Sequence, residues 1–220
     1  MSIYIGNTKI GQMYLGSTEI AQAYLGSAKV YQKLPYDAQV EYLQSSGTQY
    51  IDTLVNLSSA LSMQLNFSLT KIATSNSLLT GVWNDAGYPR AQLYVSSYGK
   101  FINSGNGTVS GITCGSPGTS TGEEALTNKK YNVIFNINAQ GDSEDILSMS
   151  MYIFARNNNN GSYLQYDGMR LYSCKMSSND TLIRDFIPVR VGNVGYMYDK
   201  VSGQLFGNSG TGNFVLGNDV

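Results

Sequence analysis

The chain has 220 residues, a formal net charge of −1 at pH 7, only 13% charged side chains and no histidine. That length allows one sizeable domain plus a small appendage, and a near-neutral balance without a basic cluster points away from nucleic acid. With no histidine and two cysteines, Cys114 and Cys174, histidine-based catalysis is excluded and a zinc site would need carboxylates almost alone.

Polarity comes instead from Ser, Asn, Thr and Gln, which suit the wet faces of antiparallel sheets better than long solvated helices. No apolar run approaches the ~20 residues that span a bilayer, so no membrane insertion is expected. The start lacks the basic flank and apolar run of a secretion signal, so synthesis and folding in a cytoplasm are expected. Two buried, reduced cysteines fit that setting, and a bridge between them would have to be shown by geometry.

Residues 3–12, 13–22 and 23–32 repeat one ten-residue pattern. Tyr4, Tyr14 and Tyr24 recur in register, followed by Ile5, Leu15 and Leu25, then Gly6, Gly16 and Gly26, then Ile10, Ile20 and Val30. Each unit reads as a short strand, a glycine turn that tolerates positive φ, and a second short strand. Ten residues close no core, and a lone hairpin is marginal in water. Tyr4, Tyr14, Tyr24, Ile5, Leu15, Leu25, Ile10, Ile20 and Val30 are therefore the candidate oligomer or attachment interface, packing against further copies or another surface. The alternative is an arm folded back on its own chain.

Residues 1–32 are thus a small repeat β-module, and 33–39, with Pro35, a linker. From residue 40 onward strands are expected at 40–44, 49–53, 61–69, 78–83, 91–95, 100–102, 108–113, 131–137, 148–154, 169–176 and 181–187. The stretch 61–69 is the clearest, because Met63, Leu65, Phe67 and Leu69 alternate with Ser62, Gln64, Asn66 and Ser68. Residues 115–130 read as a loop anchored by Ala125 and Leu126, and 157–161 as a polar tip. Strands every ten to fifteen residues with no amphipathic helix give an all-β antiparallel sandwich over 40–220.

Residues 41–53 (EYLQSSGTQYIDT) resemble the opening of a concanavalin A-like, laminin G-like jelly-roll domain common in bacteriophage and gut-bacterial surface proteins. Residues 169–175 (MRLYSCK), 182–190 (LIRDFIPVR), 195–200 (GYMYDK) and 204–214 (QLFGNSGTGNF) are similar to its end. The repeats look like those at the amino termini of phage head-fibre and tail-fibre proteins. The resemblance implies a structural protein of a virion, commonly trimeric, attached to capsid or tail through its amino terminus and exposing a lectin-like jelly roll.

Fold does not fix function, so sites are weighed separately. A glycosidase needs two facing carboxylates; Asp85, Asp142, Glu144, Asp145, Asp167, Asp185 and Asp199 are available, but no pair stands at alternate positions of one strand, and no enzyme is expected. Host glycan binding would use Trp83, Asn84, Asp85 and Tyr88, an aromatic ring with polar groups in one turn. The competing reading places the only tryptophan in the sandwich core. Asp142, Glu144 and Asp145 lack the spacing of a calcium loop, and residues 207–213 (GNSGTGN) lack the lysine and helix of a phosphate loop. No metal and no cofactor are expected.

Overall fold

The computed structural model describes residues 4–5, 8–9, 13–57, 60–83, 90–105, 107–138, 148–159, 161–163 and 165–220. Among these there is no helix, and the chain divides into two compact units, Met1–Asp37 and Ala38–Val220.

The first unit holds three separate two-stranded hairpins: β1 (Tyr4–Ile5) with β2 (Thr8–Lys9), β3 (Tyr14–Leu15) with β4 (Thr18–Glu19), and β5 (Gln22–Leu25) with β6 (Ala28–Gln32). In the second and third, a Gly-Ser pair makes the turn, with Leu15 opposite Thr18 and Leu25 opposite Ala28. Gly16 and Gly26 take φ of 64° and 62° while Ser17 and Ser27 do not turn positive, the pattern of a II′ turn that matches strand twist. A methyl group at Gly16 would touch nothing, so backbone conformation alone demands glycine there. Lys33 reaches back to Glu19 with a 2.6 Å ion pair, tying the third hairpin to the second. Ile20 and Val30 are half-buried. Ile10 and the side chains of Tyr4 and Ile5 lie outside what is described.

The second unit begins with β7 (Ala38–Gln39), formed by the last residues of the segment read as linker, then β8 (Leu43–Ser46), β9 (Ile51–Asn56), β10 (Leu61–Leu69), β11 (Ser77–Trp83), β12 (Arg90–Val95), β13 (Phe101–Gly105) and β14 (Gly107–Ser110). After a long irregular stretch come β15 (Lys130–Ile137), β16 (Ser150–Ile153), β17 (Arg156–Asn158), β18 (Gly161–Tyr163), β19 (Asp167–Ser178), β20 (Thr181–Val191), β21 (Val194–Asp199), β22 (Gln204–Phe206) and β23 (Val215–Leu216).

These form two sheets. The larger runs β14-β15-β10-β19-β20-β21-β22, with β8 on β19, β23 on β8 and β7 on β20. The smaller runs β13-β12-β11-β16-β9, with β17 on β11 and β18 on β17. Among the described strands every strand-to-strand pairing is antiparallel except β11 with β17. The sheets are the two layers of a β-sandwich: Met63, Leu65, Phe67, Val133, Phe135 and Cys174 from the larger sheet share one buried cluster with Leu79, Val82, Leu93, Phe101, Met151 and Ile153 from the smaller. Phe67, Phe101 and Tyr131 meet at ring separations of 5.0 to 6.3 Å across the layers. Each such side chain contributes about 1.5–3 kcal/mol of burial.

Strand β10 keeps the bounds and the alternation read from sequence, with Leu61, Met63, Leu65, Phe67 and Leu69 inside. Its outward side chains form a ladder of cross-strand hydrogen bonds, Ser62 to Asn136, Gln64 to Asn132, Asn66 to Ser173 and Ser68 to Tyr172. In the irregular stretch Ala125 is buried and Leu126 exposed, so one residue rather than two anchors it. Of the polar tip read at 157–161, Asn157 and Asn158 belong to β17 and Gly161 to β18, with Asn158 opposite Gly161, and Asn159 takes φ of 51°.

Candidate functional site

Val82 and Ala91 point into the core, so strand alternation places their neighbours Trp83, Arg90 and Gln92 on the opposite, outer face of the smaller sheet. Trp83 is half-buried there and does not belong to the sandwich core. Leu78, Tyr94 and Ile102 form a separate buried cluster on that same face.

Strand β17 delivers the partner. Strand β16 runs antiparallel to β11 at Thr80 and Gly81, whereas β17 runs parallel to it at Val82 and Trp83. The chain must reverse between them, and Phe154 does so with φ of 71° while fully buried. That conformation is rare for a bulky residue and costs about 1–3 kcal/mol. It is held by the Phe154 N–H on Leu79 O at 2.8 Å and by the ring of Phe214 at 5.1 Å.

The result is a stack of cations and rings drawn from four strands, β11, β12, β17 and β18. The guanidinium carbons of Arg90 and Arg156 lie 4.8 and 4.5 Å from the Trp83 ring centre, and Arg156 lies 4.7 Å from that of Tyr163. Arg156 is buried and its Nη1 donates to Gln92 Oε1 at 3.2 Å. Gln92 pairs with Gly81, where a Cβ would stand 3.0 Å from Gln92 Cγ and 2.8 Å from the Ala91 carbonyl oxygen. Glycine therefore leaves room for the Gln92 side chain. The buried donors Trp83 Nε1 and Gln92 Nε2 are among those with no acceptor among the described residues. Buried donors are normally satisfied, so these two mark the site as unusual.

Of the residues proposed from sequence for glycan binding, only Trp83 is described; Asn84, Asp85 and Tyr88 lie outside the described residues, as do Asp142, Glu144 and Asp145. Arg90, Gln92, Arg156 and Tyr163 were not foreseen. The one local hint was Gly81 inside an apolar strand, a sign of close approach.

The described carboxylates have other engagements. Asp167 pairs with Lys71, and Asp185 with Lys200 at 2.9 Å. Asp199 is fully buried at the end of β21 and accepts from the N–H groups of Asp185, Val201 and Ser202 and from the Ser202 hydroxyl at 2.7 to 3.2 Å. Burial alone would raise its pKa, but these bonds outweigh it and hold the carboxyl below its ordinary value, the opposite of what a proton donor requires. Cys114 and Cys174 are both free thiols. Cys114 lines a cleft of about 490 Å³ with Asn103, Thr108 and Ile112. Burial first, and the charge of Glu123 second, push its thiol up to about 12, so it stays protonated at neutral pH and is a poor nucleophile. No protein-family model matches the sequence, and no curated protein is significantly similar to it.

Proposed function

We propose that this chain is a non-enzymatic structural protein of a bacteriophage particle, a head fibre, tail fibre or decoration subunit, joined to further copies through its amino-terminal hairpins. One observation carries the reading. Tyr14 and Tyr24 are 55% and 57% exposed, and Leu15 and Leu25 are both 78% exposed. Two successive repeats thus leave the same aromatic-aliphatic pair in solvent, although each such side chain would gain about 1.5–3 kcal/mol on full burial. A surface repeated at fixed spacing fits the same surface on identical chains, and the trimer of fibre proteins supplies it. The likeness of the decapeptides to those of phage fibre proteins supports a place in the virion, with capsid or tail proteins as the further partners.

Light scattering tests this. The full chain should have the mass of a trimer, and the chain without residues 1–32 the mass of a monomer, with the sandwich still showing a cooperative melt. An unchanged mass would overturn assembly through the hairpins.

A second reading is that the displayed sandwich recognises host surface glycans. It is favoured by the place of Trp83, on the outer face beside Tyr163 and hydrogen-bonding side chains rather than in the core.

A further inference from the structure

We propose that the open outer face of the larger sheet, with Gln64, Asn66, Asn132, Asn136, Lys130 and Arg170, binds an extended saccharide that carries carboxylates. The inference rests on the glycan-recognition reading for its class of ligand, but it lies on the other sheet and uses no residue of the Trp83 cluster.

The outer faces of the two sheets differ in cover. On the smaller sheet Leu78, Tyr94 and Ile102 are buried, whereas on the larger one Lys130, Asn132 and Asn136 are exposed and Gln64 and Asn66 half-buried. The side chains of this open face are already ordered. Ser62 donates to Asn136 Oδ1 at 2.8 Å, Gln64 Nε2 to Asn132 Oδ1 at 3.0 Å and Asn66 Nδ2 to Ser173 Oγ at 2.8 Å. Each bond uses one group of an amide and leaves the other, so Gln64 Oε1 and Asn66 Oδ1 can accept while Asn132 Nδ2 and Asn136 Nδ2 can donate. A hydroxyl does both, and a row of sugar hydroxyls matches such a mixed set. Side chains fixed in advance also lower the entropy cost of binding. From Ser62 to Ser68 the row runs about 20 Å along β10, the reach of an oligosaccharide rather than of one sugar.

Positive charge at one end of the row selects an acidic ligand. Lys130, Ser68 and Arg170 stand side by side on β15, β10 and β19, which places the two cations on strands about 10 Å apart. Lys130 Nζ lies 4.5 Å from the ring centre of Tyr172, and the Arg170 guanidinium carbon 4.5 Å from that of Tyr42. The two rings meet edge to face at 5.9 Å, and the Tyr172 hydroxyl bonds Ser68 Oγ at 2.9 Å. Arg170 Nε donates to Gln44 Oε1 at 2.8 Å, a neutral partner. Among the described residues neither cation forms an ion pair, and the acids of the same strand and the next are engaged elsewhere, Asp167 with Lys71 and Asp185 with Lys200. The rings hold both cations in place without neutralising them. A carboxylate arriving from solvent therefore displaces no resident anion.

Calorimetry on the full chain tests this, with an oligomer of hexuronic acids, the neutral hexose oligomer of the same linkage and a single-stranded oligothymidylate as probes. The acidic oligomer should bind at least about tenfold more tightly than the neutral one and weaken as salt is added. Gln64→Ala combined with Asn132→Ala should weaken both sugars at least about fivefold. Lys130→Gln combined with Arg170→Gln should bring the acidic oligomer down to the affinity of the neutral one. If Arg170→Gln fails to fold, Lys130→Gln alone, on an exposed side chain, should still narrow the gap at least about threefold. Trp83→Phe should bind as the parent does. Equal affinity for the two sugars, oligothymidylate bound as tightly as the uronic oligomer, or unaltered binding in the amide and cation variants would each overturn the inference. Acidic sugar lost only in Trp83→Phe would also overturn it and leave glycan recognition standing at Trp83, while no binding of either sugar would sink both.

Discussion

Hairpin β3–β4 and strand pair β10–β15 both place Tyr and Leu in strands next to Thr, Ser or Asn, in adjacent positions in the first and in alternation in the second. Their surroundings differ completely. Leu65 is buried on all sides, whereas Leu15 stands mostly in solvent. Strand β10 has β15 and β19 beside it and the smaller sheet over its inner face. Among the described residues strand β3 pairs with β4 alone. The difference shows that alternation specifies which face of a strand is apolar, while the number of neighbouring layers decides whether that face is covered. An aromatic-aliphatic pair left in solvent twice at the same spacing is what the proposed assembly through the hairpins would cover.

Three variants sharpen this contrast. The largest effect belongs to Phe67→Ala, which empties the junction of Phe101 and Tyr131 between the sheets. It should destabilise the sandwich by about 3–5 kcal/mol, read from denaturant unfolding; a loss under 1 kcal/mol would mean that the two layers are not packed as described.

Asp199→Asn comes next. The carboxylate gathers four donors at the β21–β22 turn, and an amide cannot accept them all, so about 1–3 kcal/mol should be lost at neutral pH. Because the folded pKa is lowered, the stabilisation is present above the unfolded value of about 3.9 and disappears as pH falls through the folded one. Melting curves of the two proteins should therefore converge below about pH 4, and a gap that persists undiminished at lower pH would contradict this assignment.

The smallest effect on stability is expected from Leu15→Ser combined with Leu25→Ser. Both side chains are exposed, so the melting of the sandwich should shift by no more than the equivalent of about 0.5 kcal/mol. The same pair should nevertheless lower the mass in solution. A large loss of sandwich stability would show these leucines to be structural rather than reserved for assembly.

Much of the fold was legible because its signals are local. Strand β10 announced itself by period two. Gly16 and Gly26 marked turns because few other residues accept their φ. The site was legible only at Trp83, and even there the core was the favoured expectation. Val82, one residue earlier, fills that core, so alternation turns Trp83 outward. Arg156 lies 73 residues further along the chain and reaches the indole only because Phe154 reverses the strand direction, an event with no pattern in neighbouring residues.

The sequence by itself determined the class of secondary structure, the inward and outward faces of the strands and the repeated hairpins, because each follows from side chains and backbone preferences a few residues apart. Tertiary structure alone decided which strands lie side by side, that Gln92 rests over Gly81, and that Arg90, Arg156 and Trp83 form one cluster. Those outcomes depend on pairing register between distant segments, and register is set by the burial of the whole sandwich rather than by any one stretch of chain.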